Sequence, residues 1–402
     1  MNGMIIICRD HSLKNLWCIS LYCYAVHKKP AKWMFLMPDN SDMELLVKQE
    51  GAVVHVTLNR PEVLNSLSLE MIRLLSAGLA RWEQDDTVKA VFIKGAGDKA
   101  FCAGGDVKST YRTGMAFRRG EIDESIISLF YGEEYILNRR MFHYKKPLFA
   151  FMNGITMGGG FGIAGSCRYR IASERTVFAM PETAIGFFPD VGSMYFLNRA
   201  PGESGAFLTL TGGKIEPEDM LFCSFATHYV PLAQQKDMEK KLERAVRSDS
   251  SNDQEKLIKE ILGVFHNPIE KKGALQQNIE VINECLRGDD VQAIMETLRK
   301  AGTSWALEQE KTIRSRSPLS LKVSLAHLRQ SKTMDFDAVT AQDFILAQRF
   351  MRDHDFYEGV RAVLVDKDHK PQWEPKTLDD VSEVMVEDYF RPEGMALDEM
   401  AA

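Results

Sequence analysis

A chain of 402 residues can hold one large domain with an extension or two domains, and 45% hydrophobic with 26% charged residues is typical of soluble globular proteins. The formal net charge of −6 argues against broad nucleic-acid binding, because contacts with phosphates need a basic surface. The seven cysteines have no paired metal-ligand spacing, and the scatter of four through apolar segments is typical of reduced core thiols: Cys102, Cys167, Cys223 and Cys285.

Residues 1–42 differ from the rest and form an N-terminal extension of uncertain status. The first 36 residues hold three of the seven cysteines and the apolar run LWCISLYCYAV. This run lacks the arginine and serine richness of a transit peptide, and no clear cleavage site follows it. An upstream extension with the true start at Met37 or Met43 is an equal alternative. The compartment therefore stays open between a bacterial cytoplasm and the mitochondrial matrix.

From Met43 onward, strand and helix patterns alternate. GAVVHVTLN has the alternation of a strand and ends at Arg60-Pro61, where proline removes a hydrogen-bond donor. Ser68 is placed to cap a helix with apolar residues at helical spacing, and KAVFIKGAG predicts the next strand. The segments CRYRIAS and TVFAMPE continue the series. This order predicts an α/β domain over 43–231, with ligands at the loops that leave strand ends.

After about Pro231 the sequence becomes helical. Two apolar stripes at helical spacing mark packing faces: Leu275, Ile279, Ile282 and Leu286, then Val291, Ile294 and Leu298. We predict that residues 232–402 form a helical region that covers the core.

The stretch GITMGGGFGIAG, from Gly154 to Gly165, has almost no side chains that could do chemistry. No charged residue occurs between Pro147 and Cys167, so a membrane-spanning helix is one alternative. The glycine density and Asn153 favour instead a short buried strand, PLFAFMNG, followed by a buried helix. Three successive glycines would let a ligand atom approach the main-chain amides.

A second loop has the same design. In AFCAGGDVK a strand leads into Gly104 and Gly105, and Asp106 stands where a helix could begin. Two such loops aimed at one point would offer two amide donors to one oxygen, which is the arrangement of an oxyanion hole. Either loop alone would be explained equally well by a turn that needs glycine.

The two loops, followed by FAMPETAIGFFPDVG and DFYEGVRAVLVDKDHKPQW, resemble the crotonase (enoyl-CoA hydratase/isomerase) superfamily from about Glu44 to Val381. The resemblance implies an α/β fold: a crotonase (ClpP-like) spiral of repeated β-β-α units with a helical C-terminal region. It implies that the amides of Gly105 and Gly159, with Gly104 beside them, bind the thioester carbonyl of a coenzyme A substrate.

The acids separate the branches of this superfamily. Hydratases of the superfamily that this chain resembles carry two catalytic glutamates. The first of these positions is Gly162 in this chain, and the second is Glu182. Asp190, where hydratases usually have glycine, matches the hydrolase branch, and Glu134 matches an acidic substrate-site position. Without the resemblance, Glu182 would be interpreted as a helix-start acid and Asp190 as a turn residue. A solvated or structural Glu134 is an equal alternative.

The resemblance thus predicts hydrolysis of a short-chain 3-hydroxyacyl-CoA thioester, with 3-hydroxyisobutyryl-CoA, an intermediate of valine degradation, as the favoured substrate. Glu182 would attack the carbonyl or activate a water, and Asp190 would bind the 3-hydroxyl or orient that water. No metal or cofactor is expected, since coenzyme A is part of the substrate. We expect no nucleic-acid or membrane partner, and a homo-oligomer is possible. A hydratase or isomerase and a non-catalytic structural subunit, such as a mitochondrial ribosome component, are the alternatives.

Overall fold

The computed structural model describes residues 43–122, 125–247, 251–392 and 394–401. The predicted N-terminal extension lies outside these residues, so its status stays a prediction. Met43–Ala402 forms one compact unit. The predicted boundary at residue 231, between a core and a helical region, stays a prediction.

Strands alternate with helices in the first half of this unit. The strands are β1 (Leu45–Glu50), β2 (Val53–Leu58), β3 (Ala90–Gly95), β4 (Ala100–Cys102), β5 (Leu148–Met152), β6 (Ile155–Met157), β7 (Tyr169–Ala172), β8 (Val177–Ala179) and β9 (His228–Tyr229). The helices between them are α1 (Leu69–Gln84), α2 (Val107–Arg118), α3 (Ser125–Phe142), α4 (Gly159–Gly165), α5 (Ser193–Leu197), α6 (Ser204–Thr211) and α7 (Pro217–Phe222).

From Leu232 onward the described secondary structure is helical. The larger helices are α8 (Leu232–Ala245), α9 (Ser251–Phe265), α10 (Ala274–Gln277), α11 (Ile279–Cys285), α12 (Val291–Ala301), α13 (Ser304–Arg314), α14 (Pro318–Gln330), α15 (Phe336–Phe350), α16 (His354–Val360), α17 (Glu383–Tyr389) and α18 (Leu397–Ala401). A π-helical segment, Arg361–Val365, extends α16.

The described strands form two sheets. The larger has the order β1-β2-β3-β5-β7-β9, in which β1 and β2 are antiparallel and the other pairs are parallel. The smaller has the order β4-β6-β8 and is parallel throughout. Each of β3, β5 and β7 lies in the larger sheet, and the strand that follows it lies in the smaller one. This repetition confirms the predicted spiral of β-β-α units.

Local sequence explains where helices begin. Ser68 caps α1 by accepting a hydrogen bond from the Met71 amide at 3.1 Å, and Asp106 caps α2 by accepting one from the Ser109 amide at 3.1 Å. Every residue of α4 is buried, as the glycine-rich sequence predicts. The membrane-spanning alternative fails, because no described helix is long and apolar enough to cross a bilayer.

Both faces of the larger sheet are covered. On the outer face Phe149 stacks on Tyr169 with ring centroids 4.6 Å apart, and α8 and α9 cover this cluster through Leu242 and Ile258. The inner face joins the main core, which includes the two predicted apolar stripes; Ile282 and Leu298 are fully buried there. The first stripe spans two short helices, because α10 ends before Asn278 and α11 begins after it.

Asn65 fixes the end of β2 to the start of β4. It is fully buried at φ +56°, a left-handed conformation that asparagine tolerates well. Its amide donates to the carbonyls of Ala96 (2.9 Å) and Ala100 (2.8 Å). Its Oδ1 accepts a bond from the Arg60 amide at 3.0 Å. This one side chain therefore holds the strand that carries the first glycine loop.

We expect Asn65→Asp to lower the free energy of unfolding by roughly 3 kcal/mol or more, because aspartate cannot donate to the two carbonyls and leaves them unpaired. Urea denaturation followed by far-UV circular dichroism measures the change. Asn278→Asp is the matched control, because its amide donates to Ala274 at an exposed position and should change stability by only about 0.5 kcal/mol. Equal losses in both variants would contradict the structural role of Asn65.

Candidate active site

A cavity of about 230 Å³ lies between the three-stranded sheet and helices α2, α3 and α16. It contains every residue that the sequence singled out for chemistry: Gly104, Gly105, Glu134, Gly159, Glu182 and Asp190. The remaining wall is largely apolar and includes Phe130, Tyr131, Ile185, Phe187, Phe356 and Leu364. A small acyl group is therefore the kind of ligand that this space suits.

The ends of β4, β6 and β8 bring the predicted residues together. Because neighbouring strands of a parallel sheet end at the same edge, their following loops meet there. β4 leads to Gly104 and Gly105, β6 leads to Gly159, and β8 leads to Glu182.

The two glycine loops are in close contact. Gly104 has φ +109°, and a Cβ on it would lie 3.4 Å from the Met157 carbonyl oxygen. A Cβ on Gly159 would lie 3.2 Å from the Gly105 nitrogen and would collide with Oε1 of Glu134. Within the described part of the chain, neither the Gly105 nor the Gly159 amide donates to another protein group. Two neighbouring glycines of the cavity wall therefore have amides without a protein acceptor.

Glu182 begins a 3-10 turn, Glu182–Ile185, directly after Pro181, so the structural interpretation of this acid also holds. Its carboxyl group nevertheless enters the cavity. A Cβ on Gly158 would lie 2.8 Å from Oε1 of Glu182, which places that oxygen beside the second glycine loop. Oε2 of Glu182 is buried and has no hydrogen-bond partner among the described residues. This oxygen can act on a ligand.

Asp190 combines a turn with the cavity wall. Its carbonyl oxygen accepts a bond from the Ser193 amide at 2.9 Å, as expected of a turn residue. Its side chain is 5% exposed, and the Tyr135 hydroxyl donates to Oδ2 at 2.6 Å. The bond from Tyr135 therefore holds this carboxyl group in the cavity wall.

Glu134 lies on α3 and is 2% exposed, so the alternative of a solvated surface acid is wrong. Its Oε1 is buried without a hydrogen-bond partner among the described residues. It lies against Gly159, opposite Gly105.

Burial dominates the electrostatics of these acids. It raises the pKa of Glu134 and of Glu182 well above the ordinary value, and the neighbouring charge of Asp190 raises both further. Burial also raises the pKa of Asp190 to about 7, although the bond from Tyr135 opposes this shift. No lysine, arginine or histidine is among the described residues that line the cavity. Glu134 and Glu182 therefore keep their protons to higher pH than ordinary glutamates, and Asp190 loses its proton near neutral pH.

Gly162, where a hydratase-type glutamate would stand, has no room for a side chain. A Cβ there would lie 2.7 Å from Cβ of Val191 and 3.2 Å from Nδ2 of Asn138. Val191 itself has φ +56°, which is strained for a β-branched residue. The loop that follows Asp190 thus occupies the space beside Gly162.

The sequence did not indicate the aromatic wall. Tyr131 and Tyr135 were available signals, since they lie four residues apart on the helical face beside Glu134. Phe356 and Leu364 come from the late motif, whose role no local pattern could suggest. Neither His143 nor His228 lines this cavity.

Glu50, His55 and Glu243 have ligand atoms within 4.8 Å of one another and are the one group of metal-binding type among the described residues. Glu50 pairs with Lys48 at the surface, and Nε2 of His55 lies 3.2 Å from Oε1 of Glu243. Burial lowers the pKa of His55, so this contact is not a charged pair at neutral pH. The group lies apart from the cavity and its chemistry.

The profile of the enoyl-CoA hydratase/isomerase family matches residues 53–390. The chain belongs to this family. Among curated members, the zebrafish (Danio rerio) mitochondrial 3-hydroxyisobutyryl-CoA hydrolase is 41% identical over 355 residues, covering 88% of this chain and 91% of that protein. The human (Homo sapiens) protein of the same name is 40% identical over 355 residues, covering 87% and 89%.

Solved structures of family members share the fold. A carnitinyl-CoA dehydratase from Mycobacterium thermoresistibile is 36% identical with a TM-score of 0.80, covering 89% of this chain and 99% of that one. An enoyl-CoA hydratase from Rhodobacter sphaeroides is 31% identical with a TM-score of 0.78, covering 87% and 98%. The enoyl-CoA hydratase/isomerase fold is thus common to relatives named for different reactions.

We expect Gly162→Ala to destabilise this enoyl-CoA hydratase/isomerase family member by about 1–3 kcal/mol, because the added methyl group overpacks against Val191. Val191→Gly removes both the colliding atom and the side chain from a left-handed position, so the double variant should recover most of the loss. A double-mutant cycle in urea measures the coupling. Gly263→Ala, which meets nothing within 4 Å in α9, is the control and should not destabilise. Additive effects at 162 and 191 would contradict the packing argument.

We expect Asp190→Asn to stabilise the protein at pH 8 by roughly 1–4 kcal/mol and to have little effect below pH 4. The folded pKa of about 7 lies above the ordinary 3.8, so the unfolded chain releases its proton first as the pH rises. Stability is therefore lost between about pH 4 and pH 7 in the wild type, and asparagine removes this loss. Urea unfolding across this pH range measures the change. Asp98→Asn is the control, because the Asp98 side chain is exposed. The argument is contradicted if the free energies of unfolding of the two variants depend on pH in the same way.

Proposed function

We propose that the protein hydrolyses a short 3-hydroxyacyl-CoA thioester, and that the substrate is 3-hydroxyisobutyryl-CoA. One observation carries this proposal: Glu182 lines the same cavity as two glycines whose amides have no protein acceptor, whereas Val191 leaves no room at Gly162 for the second acid of a hydratase. The names of the relatives at 40–41% identity support the same reaction and substrate.

In this proposal the Gly105 and Gly159 amides bind the thioester carbonyl oxygen. Negative charge develops on this oxygen when the carbonyl carbon is attacked, and fixed donors stabilise it without reorganising. Removing one such donor typically costs about 10²- to 10³-fold in rate. The absence of side chains at both positions allows the thioester to reach the amides.

Glu182 acts on the carbonyl carbon by one of two routes. As a nucleophile, its carboxylate forms a mixed anhydride, the carbon–sulfur bond breaks and coenzyme A leaves as thiolate; water then cleaves the anhydride to the acid. As a general base, it takes a proton from a water that attacks the carbonyl carbon, and the carbon–sulfur bond then breaks with coenzyme A leaving as thiolate. Both routes need Glu182 ionised. While Glu182 is ionised, Glu134 and Asp190 can hold the protons of the cluster. One of these protons can be passed to the leaving thiolate.

Asp190 is proposed to accept a hydrogen bond from the acyl 3-hydroxyl. Tyr135 occupies Oδ2, so Oδ1 is the available acceptor. The cavity is otherwise apolar on this side, and an acyl group without a hydroxyl would leave the acid unpaired. Such unpaired buried groups discriminate strongly between otherwise similar substrates. Glu134 on α3 completes the group of three acids in the cavity.

The proposal includes the compartment and the partners. Both curated relatives are named as mitochondrial, which supports the mitochondrial matrix, with a bacterial cytoplasm as the alternative. The substrate supplies coenzyme A, and the proposed steps need no further cofactor. Assembly with copies of the same chain stays a prediction.

Two other functions are the alternatives to this hydrolase. A hydratase or dehydratase is favoured by the names of the structural relatives at 36% and 31% identity. Gly162 argues against it, because water addition to a double bond would lack its second acid. A non-catalytic structural subunit would not need unpaired amides beside three buried acids, each of which costs stability.

We expect the purified protein to release free thiol from 3-hydroxyisobutyryl-CoA, more slowly from isobutyryl-CoA, and to hydrate crotonyl-CoA negligibly. Glu182→Gln should lower thiol release by about 10²-fold or more, because the amide can neither attack nor accept a proton. A thiol reagent and ultraviolet absorbance of the enoyl thioester measure the two reactions.

Glu133→Gln is the control, since the neighbouring Glu133 pairs with Arg73 at the surface and should leave the rate unchanged. Comparable hydration and hydrolysis would favour the hydratase. Inactivity of the folded wild type in both assays would favour the structural subunit.

A further inference from the structure

A buried histidine–aspartate pair lies behind the turn that follows Asp190. His327 on α14 and Asp343 on α15 are both fully buried, with Nε2 and Oδ1 2.7 Å apart. Neither residue lines the cavity. Two polar side chains without solvent are costly to bury, so the pair calls for an explanation beyond packing.

The other oxygen of Asp343 reaches the turn itself. Oδ2 accepts a hydrogen bond from the Gly192 amide at 2.7 Å. Gly192 lies two residues after Asp190, within the turn that the Ser193 amide closes onto the Asp190 carbonyl. The helical C-terminal half therefore contacts the backbone that carries a proposed catalytic acid.

This turn is strained. Val191 at φ +56° and Gly192 at φ +74° place two successive residues in the left-handed region, and one of them is β-branched. Conformations of this kind are unfavourable and persist where surrounding contacts enforce them. The bond from the Gly192 amide to Asp343 is such a contact.

We propose that Asp343, oriented by His327, is a positioning residue that fixes the turn of Asp190 and thereby sets where its carboxyl group points. This inference rests on the proposed function, in which Asp190 contacts the acyl group. Asp343 touches neither the cavity nor a substrate, so it acts only through Asp190.

Charge as well as geometry connects the two acids. The charge of Asp343 raises the pKa of Asp190, whereas the hydrogen bond from Tyr135 lowers it. The other titratable groups around Asp190 are Tyr131, Glu134 and Glu182. Asp343 in turn faces His327 on α14 and Arg139 on α3. Removing the negative charge of Asp343 should therefore make Asp190 ionise at lower pH.

Three variants separate these effects. Asp343→Asn keeps an oxygen for the Gly192 amide but removes the charge, and Asp343→Ala removes both. His327→Gln keeps a donor toward Asp343 and should stay close to the wild type. The control is Asp219→Asn, another buried aspartate, which accepts the Leu275 and Gln276 amides far along the chain from the cavity motifs. Like Asp343, Asp219 accepts backbone hydrogen bonds from a buried position, but its partners lie outside the turn.

The decisive measurement is the titration of Asp190, followed by ¹³C NMR of protein labelled at aspartate carboxyl carbons and assigned with Asp190→Asn. We expect the midpoint in Asp343→Asn to fall by roughly one pH unit, and that in Asp219→Asn to stay at the wild-type value. Asp343→Ala should also lower thiol release from 3-hydroxyisobutyryl-CoA by about tenfold to a hundredfold, because the acid is misplaced.

The inference is overturned if Asp343→Asn leaves the Asp190 midpoint unchanged, or if the activity of both Asp343 variants merely follows thermal stability as in Asp219→Asn. The NMR midpoint needs no turnover. A wild type that fails to hydrolyse the thioester would therefore refute the proposed function alone, while the titration would still decide the role of Asp343.

Discussion

Three carboxyl groups share one small cavity without a basic side chain among its described lining residues, and this constraint organises the site. Burial disfavours each charge, and each ionised group disfavours ionisation of the others. The cluster consequently keeps protons at a pH where isolated carboxyl groups would lose them. Acids that hold protons near neutrality can donate them, and a single ionised member becomes a strong base or nucleophile. The stability lost by burying them is typical of a functional site.

The spiral fold supplies the complementary half of this chemistry. Strands β4, β6 and β8 are neighbours in one parallel sheet, so three separate sequence motifs end at the same edge. Two of these ends lead to the glycine loops and the third leads to Glu182, and all three line one cavity. Helix α3 closes the opposite side with Glu134 and with Tyr135, which holds Asp190. The donors belong to rigid backbone, and the acids belong to the surrounding turns and helix.

One fold serves different reactions in this family because small changes at fixed positions redirect the chemistry. Relatives of known structure are named as hydratase or dehydratase, whereas the curated relatives are named as hydrolases. In this chain the space beside Gly162 is filled by Val191, from the turn that also presents Asp190. The packing at Gly162 and the placement of Asp190 therefore depend on one turn, which the C-terminal helices contact through Asp343.

The sequence by itself determined the order of strands and helices, the caps at Ser68 and Asp106, and both glycine loops. These features depend on neighbours a few residues apart, and local periodicity and capping chemistry report them directly. The family resemblance then pointed to Glu182, Asp190 and Glu134. Tertiary structure decided that Glu134 is buried beside Gly159 and not solvated. It also decided that Val191 closes the space at Gly162 and that Asp343, paired with His327, reaches the Asp190 turn. These contacts join residues 16 to 151 positions apart. No local pattern encodes them, because side-chain spacing reports a residue's own helix or strand and not what packs against it.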